Sequence, residues 1–243
     1  MDEYKQLGRE GVNSVDYLNL NLTSTLAGVA VVLVVMFIRL HWPFRFQYMA
    51  NLNKRRANVR LRWLDASYRK NRSRAVAMLD KSTHEIMTGN YELAEKFIVQ
   101  GIHVCKDQPS LFNQAMIHYL FYNLAIVYYS SGRYSEALEV AFRIYQRDQG
   151  MTDSLALIAC SHARLGEVES AWEAYQLIAS KRSGREWRLF CLAEIEAAKG
   201  NYERALTHLR QLMGKSSSSF LHLNRTELEK RLEEWQKAST QAG

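Results

Sequence analysis

Apolar residues recur at helical intervals from about residue 72 to the C-terminus. Spacings of three and four residues predict helices, and no alternating apolar and polar stretch is bounded by turn signals as a strand would be. The predicted helices are 72–88, 91–105, 114–130, 134–148, 152–165, 168–181, 185–199 and 202–213. A last helix begins near Asn224 or Thr226, and Leu228, Leu232 and Trp235 form its apolar stripe. We therefore expect an all-α array that ends in a capping helix.

Glycines and small residues recur along these helices with a fixed interval of 34 residues. The two series, three glycines and the three alanines five residues after them, are Gly132, Gly166, Gly200, Ala137, Ala171 and Ala205. A further unit opens at Gly89, 43 residues before Gly132, so about nine extra residues lie around 105–113. The alternative is a helical bundle whose spacing repeats by chance, but glycines and alanines in register over three units favour a repeat array.

This period and signature resemble the tetratricopeptide (TPR) family. The resemblance implies an α-solenoid of about four helix pairs, in which a glycine with positive φ ends the first helix of each pair. The expected repeats are 75–108, 118–151, 152–185 and 186–219, followed by a capping helix and tail over 220–243.

The TPR resemblance also implies where a partner binds. In that family the first helix of each pair lines a concave groove, and an aromatic-rich groove suits an amphipathic helix or an extended apolar peptide. The groove positions predicted in this chain are Tyr119, Tyr122, Asn123, Ile126, Tyr129, Leu157, Arg164, Trp187 and Glu194. The alternative is that part of this aromatic set packs between the helices as core. We expect a protein partner in this groove.

Some TPR domains hold acidic chaperone tails in a carboxylate clamp of Lys, Arg and Asn side chains. The corresponding positions of this chain are Leu79, Thr83, Asn123, Asp153 and Leu157. Only Asn123 matches, and Asp153 would repel a carboxylate. Binding of a chaperone tail is therefore not expected.

The N-terminal part of the chain has a different composition. Residues 18–38 contain no charged side chain, and a 21-residue helix would span roughly the 30 Å of a bilayer core. A signal peptide is the competing interpretation, but the basic n-region and the cleavage site are missing. The sequence predicts a single N-terminal transmembrane helix over 18–38, with residues 1–17 outside and everything after residue 39 in the cytoplasm. A bacterial inner membrane is the default location, and an organellar membrane stays open.

The positive charge of the chain is concentrated in residues 39–74. This segment carries 11 Lys and Arg residues against Asp65 alone, while the net charge of the whole chain is +7. The basic residues predicted to lie at the membrane surface are Arg39, Arg45, Lys54, Arg55, Arg56, Arg60 and Arg62. We expect them to set the topology and to contact anionic lipid headgroups. The alternative is nucleic-acid binding through residues 44–74, which the missing recognition fold disfavours.

A second resemblance rests on the run Val-Asp-Tyr-Leu-Asn-Leu-Asn-Leu-Thr-Ser at residues 15–24. With the apolar stretch, the basic segment and the repeats behind it, this run resembles the N-terminal region of HemY-type inner-membrane proteins. That family has two membrane spans and a longer array. The resemblance implies an alternative role as an accessory protein of a biosynthetic pathway.

The sequence contains no recognisable catalytic motif. GxGxxG, Walker, HExxH and GxSxG signatures are missing, and the seven histidines are scattered without metal-ligand spacing. Cys105, Cys160 and Cys191 form no CxxC and are expected to be free packing residues. We expect no enzyme activity, cofactor or metal. The predicted function is a membrane-anchored scaffold that binds another protein, as an assembly factor or as a structural subunit of a complex.

Overall fold

The computed structural model describes residues 23–36, 46, 49–50, 52–53, 56–180, 185–215 and 225–242. The chain divides into two compact units, Met1–Arg45 and Phe46–Gly243. All regular structure within the described residues is helical. The predicted all-α class is therefore confirmed for this part of the chain.

The first unit contains one described helix, α1, over residues 23–36. None of the helices in the described ranges is long and apolar enough to cross a membrane. The prediction of a transmembrane helix over 18–38 is therefore wrong, and so is the single-pass localisation built on it. The predicted outer segment 1–17 lies outside the described residues.

The second unit is a series of ten described helices. They are α2 Ala57–Lys70, α3 Ala75–Thr88, α4 Tyr91–Asp107, α5 Leu111–Ser130, α6 Tyr134–Arg147, α7 Thr152–Arg164, α8 Val168–Ser180, α9 Arg185–Ala198, α10 Tyr202–Lys215 and α11 Arg225–Ala242. Four consecutive pairs, α3–α4, α5–α6, α7–α8 and α9–α10, pack together, and each pair packs against the next. This is a TPR-like helical repeat, as the 34-residue period predicts.

A glycine with left-handed backbone conformation ends the first helix of each pair. The φ angle is 81° at Gly89, 78° at Gly132, 79° at Gly166 and 77° at Gly200. At Gly132 the helix closes with a bond of 2.8 Å from the amide of the next residue to the carbonyl of Tyr128, five residues back. Such a bond satisfies a carbonyl that the helix end would leave without a partner. The predicted role of these glycines is confirmed.

Alanines at the repeated positions are buried on both helices of the pairs. On the first helices Ala125, Ala159 and Ala193 are fully buried, and the alanines of the second helices have the same 0% exposure. Ala94, Ala137, Ala171 and Ala205 form that second set. Buried methyl groups at these positions allow neighbouring helices to pack closely.

The roughly nine extra residues between Gly89 and Gly132 lengthen the two helices that lie between these glycines. α4 has 17 residues and α5 has 20, against 14 for α6. The Ser110 side chain accepts a bond of 3.1 Å from the amide of Asn113. This N-cap starts α5 at Leu111, three residues before its predicted start.

α2 joins the array at its N-terminal end. It packs against α3, and the Ser67 hydroxyl donates a hydrogen bond to the Asp80 carboxylate between the two helices. Both residues are buried. Residues 57–70, expected to belong to a basic segment, thus form a helix of the folded unit.

Candidate functional site

The first helices of the four pairs, α3, α5, α7 and α9, lie side by side, and we call them the inner row. The Tyr129 hydroxyl on α5 donates a hydrogen bond of 2.8 Å to Oε1 of Glu194 on α9. α7 comes between these two helices in the row. Side chains from alternate helices can meet across α7 only if the row curves with this face inward. The inner row therefore has a concave face, as the TPR resemblance implies.

A buried group of charges lies on this face, and we call Tyr129, Arg164, Glu194 and Arg231 the charge cluster. Oε2 of Glu194 is 2.6 Å from Nε of Arg164, and Oε1 is 3.1 Å from Nε of Arg231. The Glu194 side chain is 1% exposed. One carboxylate thus faces two guanidinium groups and a phenol in an environment without bulk water.

The pKa values of this cluster follow from burial and from the Glu194 charge. Burial acts to lower the pKa of Arg164 and of Arg231, but the surrounding groups, with the Glu194 carboxylate first among them, together outweigh burial and raise both pKa values. Burial raises the pKa of Tyr129 well above its ordinary value; Arg231 opposes this shift and Glu194 adds to it. Both arginines are charged and Tyr129 is neutral at physiological pH.

The C-terminal helix α11 lies against this face. The Arg231 guanidinium lies 5.2 Å from the ring centroid of Tyr129 and 5.7 Å from that of Phe190. Arg164 of α7 pairs with Glu234 at 2.9 Å and lies 5.6 Å from the ring centroid of Trp235. α11 thus touches the inner helices of the second, third and fourth pairs.

α11 also reaches the first pair. Tyr91, which opens α4, has its pKa raised by burial and then by the Glu227 carboxylate of α11. The sequence predicts a capping helix, and α11 does pack against α10. The structure adds that this helix touches residues of all four pairs.

The structure places most of the predicted groove residues in the interior. The buried ones are Tyr122 at 7% exposure, Asn123 at 2%, Ile126 at 1%, Tyr129 at 1%, Leu157 at 2%, Trp187 at 5% and Glu194 at 1%. The Asn123 amide donates bonds of 2.9 Å to the hydroxyls of Ser82 and Thr83, which explains its burial. The Arg164 side chain is 13% exposed beneath α11. Contact of these residues with a partner stays a prediction.

Tyr119 is the exposed member of the predicted groove set, with 51% of its surface accessible. It lines a cleft of about 670 Å³, which we call the Tyr119 cleft. The lining residues are Ala115, His118, Tyr119, Asp148, Gly150, Met151, Thr152 and Asp153. They come from α5, from the α6–α7 connection and from the start of α7, so the cleft lies between the second and third pairs.

The basic residues predicted at a membrane surface are divided by the structure. Arg39, Arg45, Lys54 and Arg55 lie outside the described residues. Arg56 and Arg62 are exposed, whereas Arg60 is 5% exposed and its burial lowers its pKa. Arg60 therefore packs inside the folded unit. The lipid and nucleic-acid alternatives gain no support from the described residues.

The three cysteines are free and buried. The Sγ atoms of Cys160 and Cys191 are 3.5 Å apart, and burial raises the pKa of Cys160 well above its ordinary value. In the described ranges no group of three or more His, Cys, Asp or Glu side chains could hold a metal ion.

Comparisons with known proteins give likenesses to solved structures. No family model and no curated protein matches the chain. A similar solved structure is that of YrrB, described as a TPR protein with an unusual peptide-binding site. The two chains are 16% identical over 73% of this chain and 86% of that one, with a TM-score of 0.43. A likeness at that level carries no argument, so the repeat fold is concluded from the helix pairs and glycine turns of this chain. The HemY resemblance is unsupported.

Arg231 is the functional candidate that the sequence reasoning missed. It lies three residues after Leu228 and four before Trp235, in the middle of the stripe predicted to be apolar. Arg231 is 4% exposed, while Leu228 is 7% exposed and Trp235 is 2% exposed. A cation inside an apolar stripe is the signal that could have indicated a buried acidic partner.

Proposed function

We propose that this chain is a protein-binding helical-repeat scaffold that holds a peptide or helix of another protein in the Tyr119 cleft. The observation that carries the proposal is an aromatic ring with 51% exposure on the wall of a cleft of about 670 Å³. Rigid aromatic side chains that remain exposed beside a concave surface are frequent anchors of protein recognition.

The lining of the cleft indicates the chemistry of the bound segment. Asp148 and Asp153 supply acidic groups, while Tyr119 and Met151 supply apolar surface. A segment with a Lys or Arg next to a large apolar residue would satisfy both. We infer that the partner presents such a basic and apolar segment. The finer role that we propose is that of an assembly factor or a structural subunit of a larger complex.

Partner capture by the full chain tests this function. We expect Tyr119→Ala to lose a defined partner that the unmodified chain retains, and a peptide from that partner to bind at least tenfold more weakly to the variant by calorimetry. Phe142→Ala is the matched control, since Phe142 is 49% exposed on α6, a second helix of its pair. Equal capture by Tyr119→Ala and the unmodified chain would contradict the proposal.

Variants of Tyr122 and Trp187 are unsuited to this test. Both side chains are buried in the fold, and truncating a buried aromatic side chain to alanine costs about 3–5 kcal/mol of stability. A loss of binding in such variants would report unfolding as readily as a lost contact.

A further inference from the structure

The face of the inner row that α11 covers holds a helix through a short pattern of side chains. Leu228, Arg231 and Trp235 are the buried ones among the described side chains of α11. Their positions i, i+3 and i+7 lie on one face of a helix. The covered face thus accepts two apolar side chains with an arginine between them.

The inner row is complementary to the arginine of this pattern. Glu194 offers a carboxylate oxygen 3.1 Å from Nε of Arg231, and the rings of Tyr129 and Phe190 lie within 5.7 Å of its guanidinium. A carboxylate and two aromatic rings are the groups that favour a desolvated guanidinium. Any helix that replaced α11 would have to supply a cation at this position.

α11 buries fewer of its described side chains than the inner helices α3, α5 and α7 do. Nine residues of α7 are buried, against three of the described side chains of α11. The pair between Arg164 and Glu234 is weak, because the Glu234 side chain is 55% exposed. An element with few buried contacts opens at lower free energy than the core that it covers.

We propose that the face covered by α11 is a binding surface for a helix of another protein, and that α11 is the segment which that helix displaces. The partner helix carries an apolar residue, an arginine and an aromatic residue at positions i, i+3 and i+7. α11 acts as an internal competitor and lowers the apparent affinity of the face for such a helix. This inference goes beyond the proposed function, because it concerns other residues than the Tyr119 cleft.

A designed helix of 18 residues tests the proposal with the full chain. The probe shares with α11 only a Leu, an Arg and a Trp at i, i+3 and i+7, and it carries a fluorophore for anisotropy. We expect it to bind and to raise the hydrogen exchange of the α11 amides at least tenfold at saturation. A second probe, with Glu in place of the Arg, should bind at least tenfold more weakly, because it sets a carboxylate against Glu194.

Variants of α11 complete the test. Trp235→Ala and, separately, Leu228→Ala should tighten binding of the first probe at least tenfold, because each weakens the internal competitor. Lys230→Ala is the matched control, since this side chain is 69% exposed, and it should leave the affinity unchanged. Circular dichroism shows whether each variant is folded.

Three outcomes would overturn the proposal. Binding that leaves exchange in α11 unchanged would place the probe elsewhere, and no binding to either weakened variant would make α11 a permanent cap. Sedimentation that shows a dimer formed by exchange of α11 would make a second copy the occupant. Each outcome is distinguishable from a failure of the proposed function, which is decided by Tyr119→Ala.

Discussion

Glu194 is the residue on which the inner face depends most. Its carboxylate accepts a hydrogen bond from the Tyr129 hydroxyl and pairs with Arg164 of α7 and Arg231 of α11. A buried ion cluster often stabilises a protein no more than apolar side chains of similar volume would. Removing one charge of the cluster, however, destabilises the protein strongly. The cluster therefore specifies which helices meet here more than it stabilises the fold as a whole.

Glu194→Gln should destabilise the protein by about 3–5 kcal/mol, because it leaves the buried guanidinium group of Arg231 without its counter-charge. Urea unfolding at pH 7 measures the change. Glu139→Gln is the control, since Glu139 and Arg143 pair with side chains 61% and 74% exposed. The control should change stability by no more than about 0.5 kcal/mol. A Glu194→Gln variant as stable as the control would show that the cluster is solvated in solution.

Two buried tyrosine side chains make the stability of the folded protein depend on pH in the alkaline range. Burial raises the pKa of Tyr122 and of Tyr129 well above the ordinary value of about 10. The folded state therefore keeps protons that the unfolded state loses. This contribution to stability is fully present below about pH 10 and is lost as the pH rises towards the raised values.

We expect the free energy of unfolding to fall above pH 10 by up to about 1.4 kcal/mol per pH unit for each of these phenols. Tyr122→Phe should reduce that slope, with Tyr119→Phe as the matched control at an exposed position. Denaturant unfolding between pH 9 and 11 measures it. An unchanged slope in Tyr122→Phe would mean that this hydroxyl reaches water in the folded state.

At the scale of the helices, the sequence predicts most of the array because local signals determine it. Glycine spacing places the turn within each pair, and alanine spacing identifies buried positions of both helices. Helices α6 to α9 accordingly begin and end within one residue of prediction. The sequence analysis did not assign α2 to the array, because the many basic residues of this segment favoured a membrane-surface role over an apolar stripe that packs on α3. The position of α11 on the inner row depends on contacts between residues far apart in sequence. A repeat period along the chain carries no information about such contacts.

The turn glycines can be tested against a glycine inside a helix. Gly166→Ala should cost about 1–2 kcal/mol, because φ is 79° there and a β-carbon disfavours that conformation. Gly214→Ala should instead add about 0.5–1 kcal/mol, since Gly214 lies within α10 and a new Cβ would meet open space.

Thermal or urea unfolding of the two variants provides the measurement, and each variant serves as the other's control. Changes of the same sign at both positions would contradict the role assigned to the turn.

At the scale of the whole repeat unit, contacts between distant repeats distinguish this array from a simple stack. In most solenoids each repeat contacts only its neighbours, so stability is a sum of local terms. Here Tyr129 of the second pair bonds Glu194 of the fourth, and α11 contacts the first pair at Tyr91. We therefore expect the pairs to unfold together.

The three buried thiols offer a measurement of this cooperativity. Cys105 lies on α4, Cys160 on α7 and Cys191 on α9. We expect thiol labelling of single-cysteine chains to give opening free energies that agree with one another and with global unfolding. The fully denatured chain is the control for intrinsic reactivity. A Cys105 that opens at much lower free energy than Cys191 would show that the first pair unfolds separately.

The contact of α11 with all four pairs also has a consequence for synthesis on the ribosome. The chain emerges from its N-terminus, so α3, α5 and α7 are complete while Glu194 and Arg231 are still to be added. At about 5–20 residues per second, Arg231 follows Glu194 after roughly 2–7 s. During that interval α3, α5 and α7 are complete and α11 is still missing. We therefore expect a nascent chain to expose, until α11 has emerged, a surface that the finished protein covers. A partner present at the ribosome would meet that surface before α11 does.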